Sequence, residues 1–129
     1  DVLGLIYRLE EHDREQTHIA PRLLREALGI SAMTRSMAMR GLVRSGLVVR
    51  REGHYAITDT GRQKARNLVR SHRLWESYLH RHLQLLPDHV HPMANRLEHI
   101  TDAAMQASLA EGVEQPDRDP HGRKIPPAQ

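Results

Sequence analysis

The ten residues MANRLEHITD, at positions 93–102, carry three side chains of kinds that bind metal ions. Asn95, Glu98 and His99 are spaced i, i+3 and i+4, so a helix would place all three on one face. The segment also differs by one residue from the inverted zinc-peptidase signature H-x-x-E-H, with Asn95 where the first His would stand. A metal site, a degenerate hydrolase motif and an ordinary surface stripe are the three interpretations to separate.

A second pair of the same kind lies upstream, where His72 and Glu76 are spaced i, i+4. Such a pair alone is common on helix surfaces. Two helices that each offer one carboxylate and one imidazole, with His91 between them, form a sulfur-free set of nitrogen and oxygen ligands. That set suits Mn²⁺, Fe²⁺, Co²⁺ or Zn²⁺ and does not favour Cu(I). Catalysis is not expected, because the peptidase motif lacks one imidazole and no nucleophile constellation accompanies it.

Helices to position these residues are predicted by the hydrophobic periodicity, which favours a mainly α fold with one small β-hairpin. Ser31 is the expected N-cap of one helix, Thr58 or Asp59 of another, and Glu52-Gly53 is the expected hairpin turn. The Pro-rich and charged segment 113–129 is expected to be a loop or tail. The predicted helices cover residues 2–9, 21–29, 31–43, 58–83 and 87–112, and the hairpin lies between the third and the fourth.

A helix–turn–helix followed by a two-stranded wing is the winged-helix arrangement, which inserts its second helix into the major groove of DNA. Charge agrees with this interpretation, because residues 31–73 carry ten Lys and Arg against two acids. Both flanks, 1–30 and 74–129, are net acidic. Arg35 stands where winged helices usually bury Val or Ile. The predicted DNA-contacting residues are Ser31, Thr34, Arg35, Ser36, Arg40, Arg44, Arg50 and Arg51.

The composition of the 129 residues fits one or two small domains with a modest aliphatic core, since hydrophobic residues make up 39% and Phe is absent. The absence of Cys excludes disulfides and thiolate ligands and is typical of a cytoplasmic, reducing setting. No run of residues is apolar enough to span a bilayer, and no signal peptide opens the chain. A cytoplasmic location is therefore expected.

Several stretches together resemble one family of metal-dependent transcriptional regulators. These are LGLIYRLEE, GLVVRREGHYAITDTGRQKARNLVRSHRLWESYL, VHPMANRLEHITD and DPHGRKIP, in this order and over nearly the whole chain. HRLWE, RLEH and PHGxxIP are specific in combination. The chain is similar to the diphtheria-toxin-repressor and manganese-transport-regulator family, without the SH3-like third domain of its longer members.

The resemblance implies a winged helix–turn–helix DNA-binding domain over residues 1–66, a helical dimerisation and metal-binding domain over 67–115, and a Pro-rich tail over 116–129. In such regulators, binding of iron or manganese draws the first helix toward the long helices. A homodimer, formed through the two C-terminal long helices, then fits the palindromic operator DNA of metal-uptake genes. The implied cofactor is Mn²⁺ or Fe²⁺, with Zn²⁺ or Co²⁺ as further options.

The resemblance also implies a ligand set by position. Two departures from the family pattern weaken that set. Asn95 stands where iron-type members have Cys and manganese-type members have Glu, and Gly4 stands where the manganese type has a second acid. Metal binding is therefore expected to be weaker than in either type, or lost. The implied ligands are Asp1, His72, Glu76, His91, Asn95, Glu98 and His99.

Two other functions stay open at this stage. The chain starts inside a helical pattern with no Met, which favours a soluble regulatory domain cut from a larger protein such as a metal-ion ABC transporter permease. Domains of this repressor family resemble C-terminal extensions of such permeases. The other alternative is a metal-free winged helix that serves protein contacts alone.

Overall fold

The computed structural model describes residues 2–12, 26, 29–114 and 116–128. Within these ranges lie five α-helices and one hairpin, which confirms the predicted fold class. No helix in them is long and apolar enough to cross a membrane. The chain divides into two compact units, Asp1–Arg66 and Asn67–Gln129. The elements are α1 (Val2–His12), α2 (Ala32–Arg44), β1 (Val48–Arg51), β2 (His54–Ile57), α3 (Asp59–Leu83), α4 (Pro87–Leu97) and α5 (Ala103–Gly112).

The core of the first unit joins the apolar faces of α1, α2 and the hairpin. Leu3 and Ile6 are one turn apart on α1 and both are buried, as their spacing predicts. Burying these side chains gives the unit its main hydrophobic stabilisation. The helix predicted over 21–29 falls largely on residues outside the described ranges. The buried core residues are Leu3, Ile6, Met39, Leu47, Val48, Ile57 and Ala65.

The hairpin turns at Glu52 and Gly53, as predicted. Both residues have positive φ, 51° and 77°, which is the pattern of a tight type I′ connection. The antiparallel register pairs Val48 with Ile57 and Arg51 with His54. Val48 and Ile57 are buried while Arg51 and its partner are exposed, so the basic tip projects from the unit.

The hairpin is joined to α3 by a tight polar and steric junction. The hydroxyl of Thr58 donates to the Gly46 carbonyl at 2.6 Å and accepts the Gly61 N–H at 3.0 Å, which caps the start of α3. A Cβ on Gly61 would lie 1.9 Å from the Leu47 carbonyl oxygen. Only glycine allows this approach of helix and strand.

The second unit corrects one prediction, since residues 87–112 do not form a single helix. α4 ends at Leu97, a 3₁₀ turn covers Glu98–Ile100, and Thr101 is extended. Asp102 then caps α5, its carboxylate accepting the Met105 N–H at 2.7 Å. A Thr-Asp pair competes for backbone hydrogen bonds inside a helix and favours a new start, which explains the break.

The C-terminal segment, residues 116–128, has no helix, as predicted, but it packs against α3. Ile125 joins the core that Leu74, Leu109, Ala110 and Val113 form, with Trp75 and Tyr78 beside it. Arg70 donates to the Pro126 carbonyl at 2.8 Å, and Arg73 donates to the Lys124 carbonyl. The segment is therefore part of the second unit and is not a free tail.

Candidate functional site

Two ionisable residues of α3 lie on the buried face of that helix. Val69, His72, Glu76 and Leu79 follow helical spacing, and all four are buried. The side chains of His72 and Glu76 are 0% exposed. An unpaired buried carboxylate is strongly unfavourable, so a charged pair on this face needs partners.

Those partners come together around one oxygen of Glu76. Oε1 of Glu76 lies 3.0 Å from His72 Nε2 and 2.9 Å from His91 Nδ1. The two imidazole nitrogens lie 3.1 Å from each other, and the rings meet edge to face. We call these three residues the His72 cluster. α3 supplies two of its members, and His91, in the second turn of α4, supplies the third and is partly open to solvent.

Glu98 orients the central imidazole from its other side. Its carboxylate is buried, and Oε2 accepts the Nδ1 proton of His72 at 2.5 Å. This bond fixes the ring and leaves Nε2 directed at Glu76 and His91. A carboxylate behind a histidine in this way raises the basicity of the ring and sets its tautomer, as is usual at metal sites.

The pKa values of the pair reflect this environment. Burial lowers the pKa of His72, but the hydrogen bonds to Glu76 and Glu98, together with their charges, outweigh burial and raise it. Burial raises the pKa of Glu76, yet the bonds to His72 and His91 and the charges of His72 and Arg123 bring it well below its usual value. These contacts favour the protonated form of the imidazole and the ionised form of the carboxylate.

The other residues that the sequence assigned to a metal are placed differently. Asn95 is exposed on α4, and Asp1 lies outside the described residues. The His99 side chain is 54% exposed, with Nε2 3.5 Å from Glu98 Oε1. The structure therefore brings His72, Glu76 and His91 together, with Glu98 in contact, and leaves Asn95 and His99 at the surface.

The structure also adds residues that the sequence reasoning missed. The second oxygen of Glu76, Oε2, accepts from the Arg123 guanidinium at 2.8 Å and lies 3.5 Å from His121 Nδ1. Asp119 also contacts Arg123, and it forms a second possible ligand group with Glu76 and His121. These residues belong to the segment that was expected to be a loop or tail, and they lie far from Glu76 along the chain. Neither their spacing nor their position in the sequence therefore indicated contact with Glu76. The PHGxxIP motif was the one available signal.

The candidate DNA residues lie in the first unit, where α2 has two faces. Arg35 is half-buried on the inward face with Met39, whereas Arg40 and Arg44 are exposed. Ser31 caps α2, its hydroxyl accepting the Thr34 N–H at 3.2 Å. The remaining predicted contacts, Ser36, Thr34, Arg50 and Arg51, are exposed.

Two methionines on the same outward face were not assigned to DNA by the sequence reasoning. Met33 and Met37 are 74% and 62% exposed, and with Arg40 and Arg44 they follow helical spacing on one stripe. On the wing, the Arg50 guanidinium lies 5.7 Å from the centre of the Tyr55 ring, a cation–π contact that holds it near the strand.

The His72 cluster fits a divalent cation in donor type and in spacing. Two imidazole nitrogens and one carboxylate oxygen suit a first-row metal of the manganese-to-zinc series. An octahedral ion with bonds of about 2.1 Å keeps adjacent ligand atoms about 3.0 Å apart. The three separations in the cluster, 2.9, 3.0 and 3.1 Å, agree with that spacing. Small changes in the side chains would thus suffice to hold an ion in place of the protons.

Comparison with known proteins gives a family match over the second half of the chain. The family described as "Iron dependent repressor, metal binding and dimerisation domain" matches residues 58–127. The diphtheria toxin repressor of Corynebacterium diphtheriae is 32% identical over 126 residues, which are 96% of this chain and 54% of that protein. A probable metal transport system membrane protein of Chlamydia trachomatis is 41% identical over 85 residues, 66% of this chain and 19% of that protein.

Solved structures agree with these sequence relatives. A manganese-dependent transcriptional repressor in complex with manganese has a TM-score of 0.83 and 35% identity, covering 99% of this chain and 59% of that one. The manganese regulator SloR has a TM-score of 0.85 and 33% identity, covering 98% and 58%. This chain spans slightly over half the length of these repressors and about a fifth of the transport protein.

Proposed function

The chain belongs to the family of iron-dependent repressors, and on this premise we propose that it is a metal-responsive, DNA-binding regulator of transcription. In this proposal it acts as a homodimer on operators of metal-ion uptake genes and has no catalytic activity. DNA binding is assigned to residues 1–66, and metal binding and dimerisation to residues 67–115.

The observation that carries the proposal is the buried His72 cluster. His72, Glu76 and His91 would hold the ion, and Glu98 would keep His72 in the tautomer that presents Nε2. A bound divalent ion would supply a charge that neutralises Glu76 and a link between α3 and α4. The ligand set accepts any ion of the manganese-to-zinc series, and the family match and the manganese-dependent neighbour favour Mn²⁺ or Fe²⁺ among them. Among the structural neighbours, one is a complex with manganese and another carries Zn²⁺.

Exposed side chains of the first unit support the DNA-binding half. Arg40 and Arg44 on α2, and Arg50 and Arg51 on the wing, are exposed guanidinium donors and form no ion pair with an acidic side chain among the described residues. Such donors suit phosphate oxygens and give affinity that falls with salt. Met33 and Met37, both exposed on the same stripe, would face the bases in a winged-helix docking, where apolar side chains contact thymine methyl groups.

Dimerisation through the second unit is supported by large apolar side chains left at its surface. Contact with water is unfavourable for each of these side chains. Pairing with a second copy would bury them. The exposed side chains are Leu83, Leu86, Met93, Ile100 and Met105, at 57%, 62%, 42%, 67% and 40%.

A metal-dependent DNA-binding measurement tests the proposal. Selection from a random duplex library with Mn²⁺ or Fe²⁺ yields the preferred site, and fluorescence anisotropy then gives the affinity with metal and with chelator. We expect a tight, palindromic site that is lost on chelation and in His72→Ala, while the matched surface variant His89→Ala keeps it. No selected sequence under any metal, even at low salt, would contradict the proposal.

A second candidate function is regulation of a metal transporter from within the same polypeptide. Two probable metal transport system membrane proteins, from Chlamydia trachomatis and Chlamydia pneumoniae, are 41% and 40% identical to this chain over 85 and 81 residues. In that function the His72 cluster would sense the transported ion without DNA. Fractionation of cells with an antibody against this chain separates the two: a large membrane-bound species supports the transporter, and a small protein that copurifies with promoter DNA supports the repressor.

A further inference from the structure

Glu76 meets a different set of groups at each of its two oxygens. Oε1 faces His72 and His91, the cluster described above. Oε2 accepts from Arg123 Nη2 at 2.8 Å and lies 3.5 Å from His121 Nδ1. Because the carboxylate is fully buried, neither oxygen is open to bulk water. One buried carboxylate is thus shared between two polar groups.

Asp119 completes the group on the Oε2 side. Its side chain is fully buried, and Oδ2 accepts from Arg123 Nε at 2.9 Å. Together Asp119, Glu76 and His121 offer two oxygens and one nitrogen that lie within 4.8 Å of one another. Oxygen ligands with one imidazole suit Mn²⁺, Co²⁺ or Zn²⁺. By ligand type alone, this group has the composition of a cation site.

The arrangement of Asp119 does not depend on the Arg123 side chain. Its Oδ1 accepts the backbone N–H groups of His121 at 2.9 Å and of Arg123 at 2.8 Å. The loop also closes on itself, with the Asp119 N–H donating to the Arg123 carbonyl at 2.9 Å. Buried Ile125 then anchors the loop to the unit. The carboxylate would accordingly keep its position if the guanidinium were removed.

The guanidinium lies where an ion would lie in this group. Arg123 spans both carboxylates, and its Nη2 is also 3.3 Å from His121 Nδ1. Two buried carboxylates so close together repel each other and require a cation between them. A guanidinium is permanently charged and forked, so it satisfies two carboxylates at once. It also prevents Oε2 of Glu76 from serving a metal at the His72 cluster.

We propose that Arg123 is an internal cation that replaces a divalent ion among Glu76, Asp119 and His121. It limits Glu76 to one metal-binding oxygen, Oε1, and keeps a second ion out. The assignment of Oε1 to a metal rests on the proposed function, whereas the exclusion of an ion from the Asp119 side does not. Replacement of Arg123 by a short neutral side chain opens a second site for a divalent ion.

The test is the number of ions that each chain binds, measured with Co²⁺ and Mn²⁺ by native mass spectrometry and calorimetry. Arg123→Ala should bind one more ion per chain than the unaltered protein. Arg123→Lys keeps a cation and should bind no additional ion. Arg118→Ala is the matched control in the same loop, since its guanidinium donates to the Gly122 carbonyl and not to a carboxylate. The double variant Arg123→Ala with Asp119→Asn should lose the additional ion.

The outcomes separate this inference from the proposed function. If the unaltered protein binds no ion and Arg123→Ala binds one, the inference is supported, and metal binding by the His72 cluster is contradicted. An equal number of ions in Arg123→Ala and the unaltered protein overturns the inference and leaves the His72 cluster standing. If Arg123→Ala unfolds in chelator, Arg123→Gln is tested in its place. The inference then predicts that Co²⁺ raises the unfolding temperature of Arg123→Gln more than that of the unaltered protein, and an equal rise in both overturns it.

Discussion

The two ring nitrogens of His72 contact different groups. Nδ1 is bound to the buried Glu98 carboxylate, and Nε2 faces Glu76 and His91. The family resemblance of the sequence implied that the carboxylates of Glu76 and Glu98 are both metal ligands. It could not show that Glu98 lies behind the imidazole, because that depends on how two helices rotate against each other.

Replacing Glu98 by Gln should therefore weaken metal binding without removing a metal-facing atom at the cluster. Loss of an orienting carboxylate of this kind lowers metal affinity about 10- to 100-fold. Calorimetric titration with Mn²⁺ measures the change. His99→Gln, one residue further and exposed, is the control and should keep the affinity. Equal losses in both variants would mean that Glu98 does not act through His72.

Asn95 gives a prediction of the opposite kind. The sequence marked it as the weak point of the ligand set, but the structure places it exposed on α4. Asn95→Glu should consequently leave affinity at the His72 cluster unchanged, because the new carboxylate faces solvent, where it adds little. Titration of both proteins with Mn²⁺ decides this. A tenfold or greater tightening would show that residue 95 faces the ion.

Among the elements, α2 separates two arginines that the sequence treated alike. Arg35 is half-buried beside the core, and Arg40 is exposed on the outward stripe. Local periodicity predicted the helix and its Ser31 cap, both of which are confirmed. Periodicity did not separate the inward Arg35 from the outward Arg40, because it assigns charged residues to the exposed face of a helix.

Arg40→Ala should weaken DNA binding and reduce its salt dependence. Loss of one phosphate contact lowers the slope of log affinity against log salt by about 0.9. Anisotropy titrations at several salt concentrations measure the slope. Arg35→Ala should keep the slope and change the unfolding midpoint instead. The reverse pattern would mean that α2 presents its other face to DNA.

The junction of hairpin and α3 yields a stability prediction. Gly61→Ala places a Cβ against the Leu47 carbonyl, and overpacking of this kind costs about 1–3 kcal/mol. Gly41→Ala is the control on α2, where the structure has open space, and should stabilise by about 0.5–1 kcal/mol. Urea unfolding followed by circular dichroism measures both. Equal stability of the two variants would contradict the close approach.

Across the whole molecule, the features set by neighbouring residues were predictable and those set by distant ones were not. The hairpin turn and the long helix α3 depend on local signals, and both predictions are confirmed. One local signal was missed, because the Thr101-Asp102 pair that separates α4 from α5 lies within continuous apolar periodicity. The contact of Arg123 with Glu76 joins residues that are 47 positions apart, and no local pattern encodes it.

The proposed function depends most on the binding of a divalent ion by His72, Glu76 and His91. Crystals grown with Mn²⁺ and measured near its absorption edge test this directly, because the anomalous difference map locates the ion. The predicted result is a peak about 2.0–2.3 Å from His72 Nε2, Glu76 Oε1 and His91 Nδ1. A peak bound by Asn95 and His99 alone, or no peak in Mn²⁺-saturated crystals, would contradict the account.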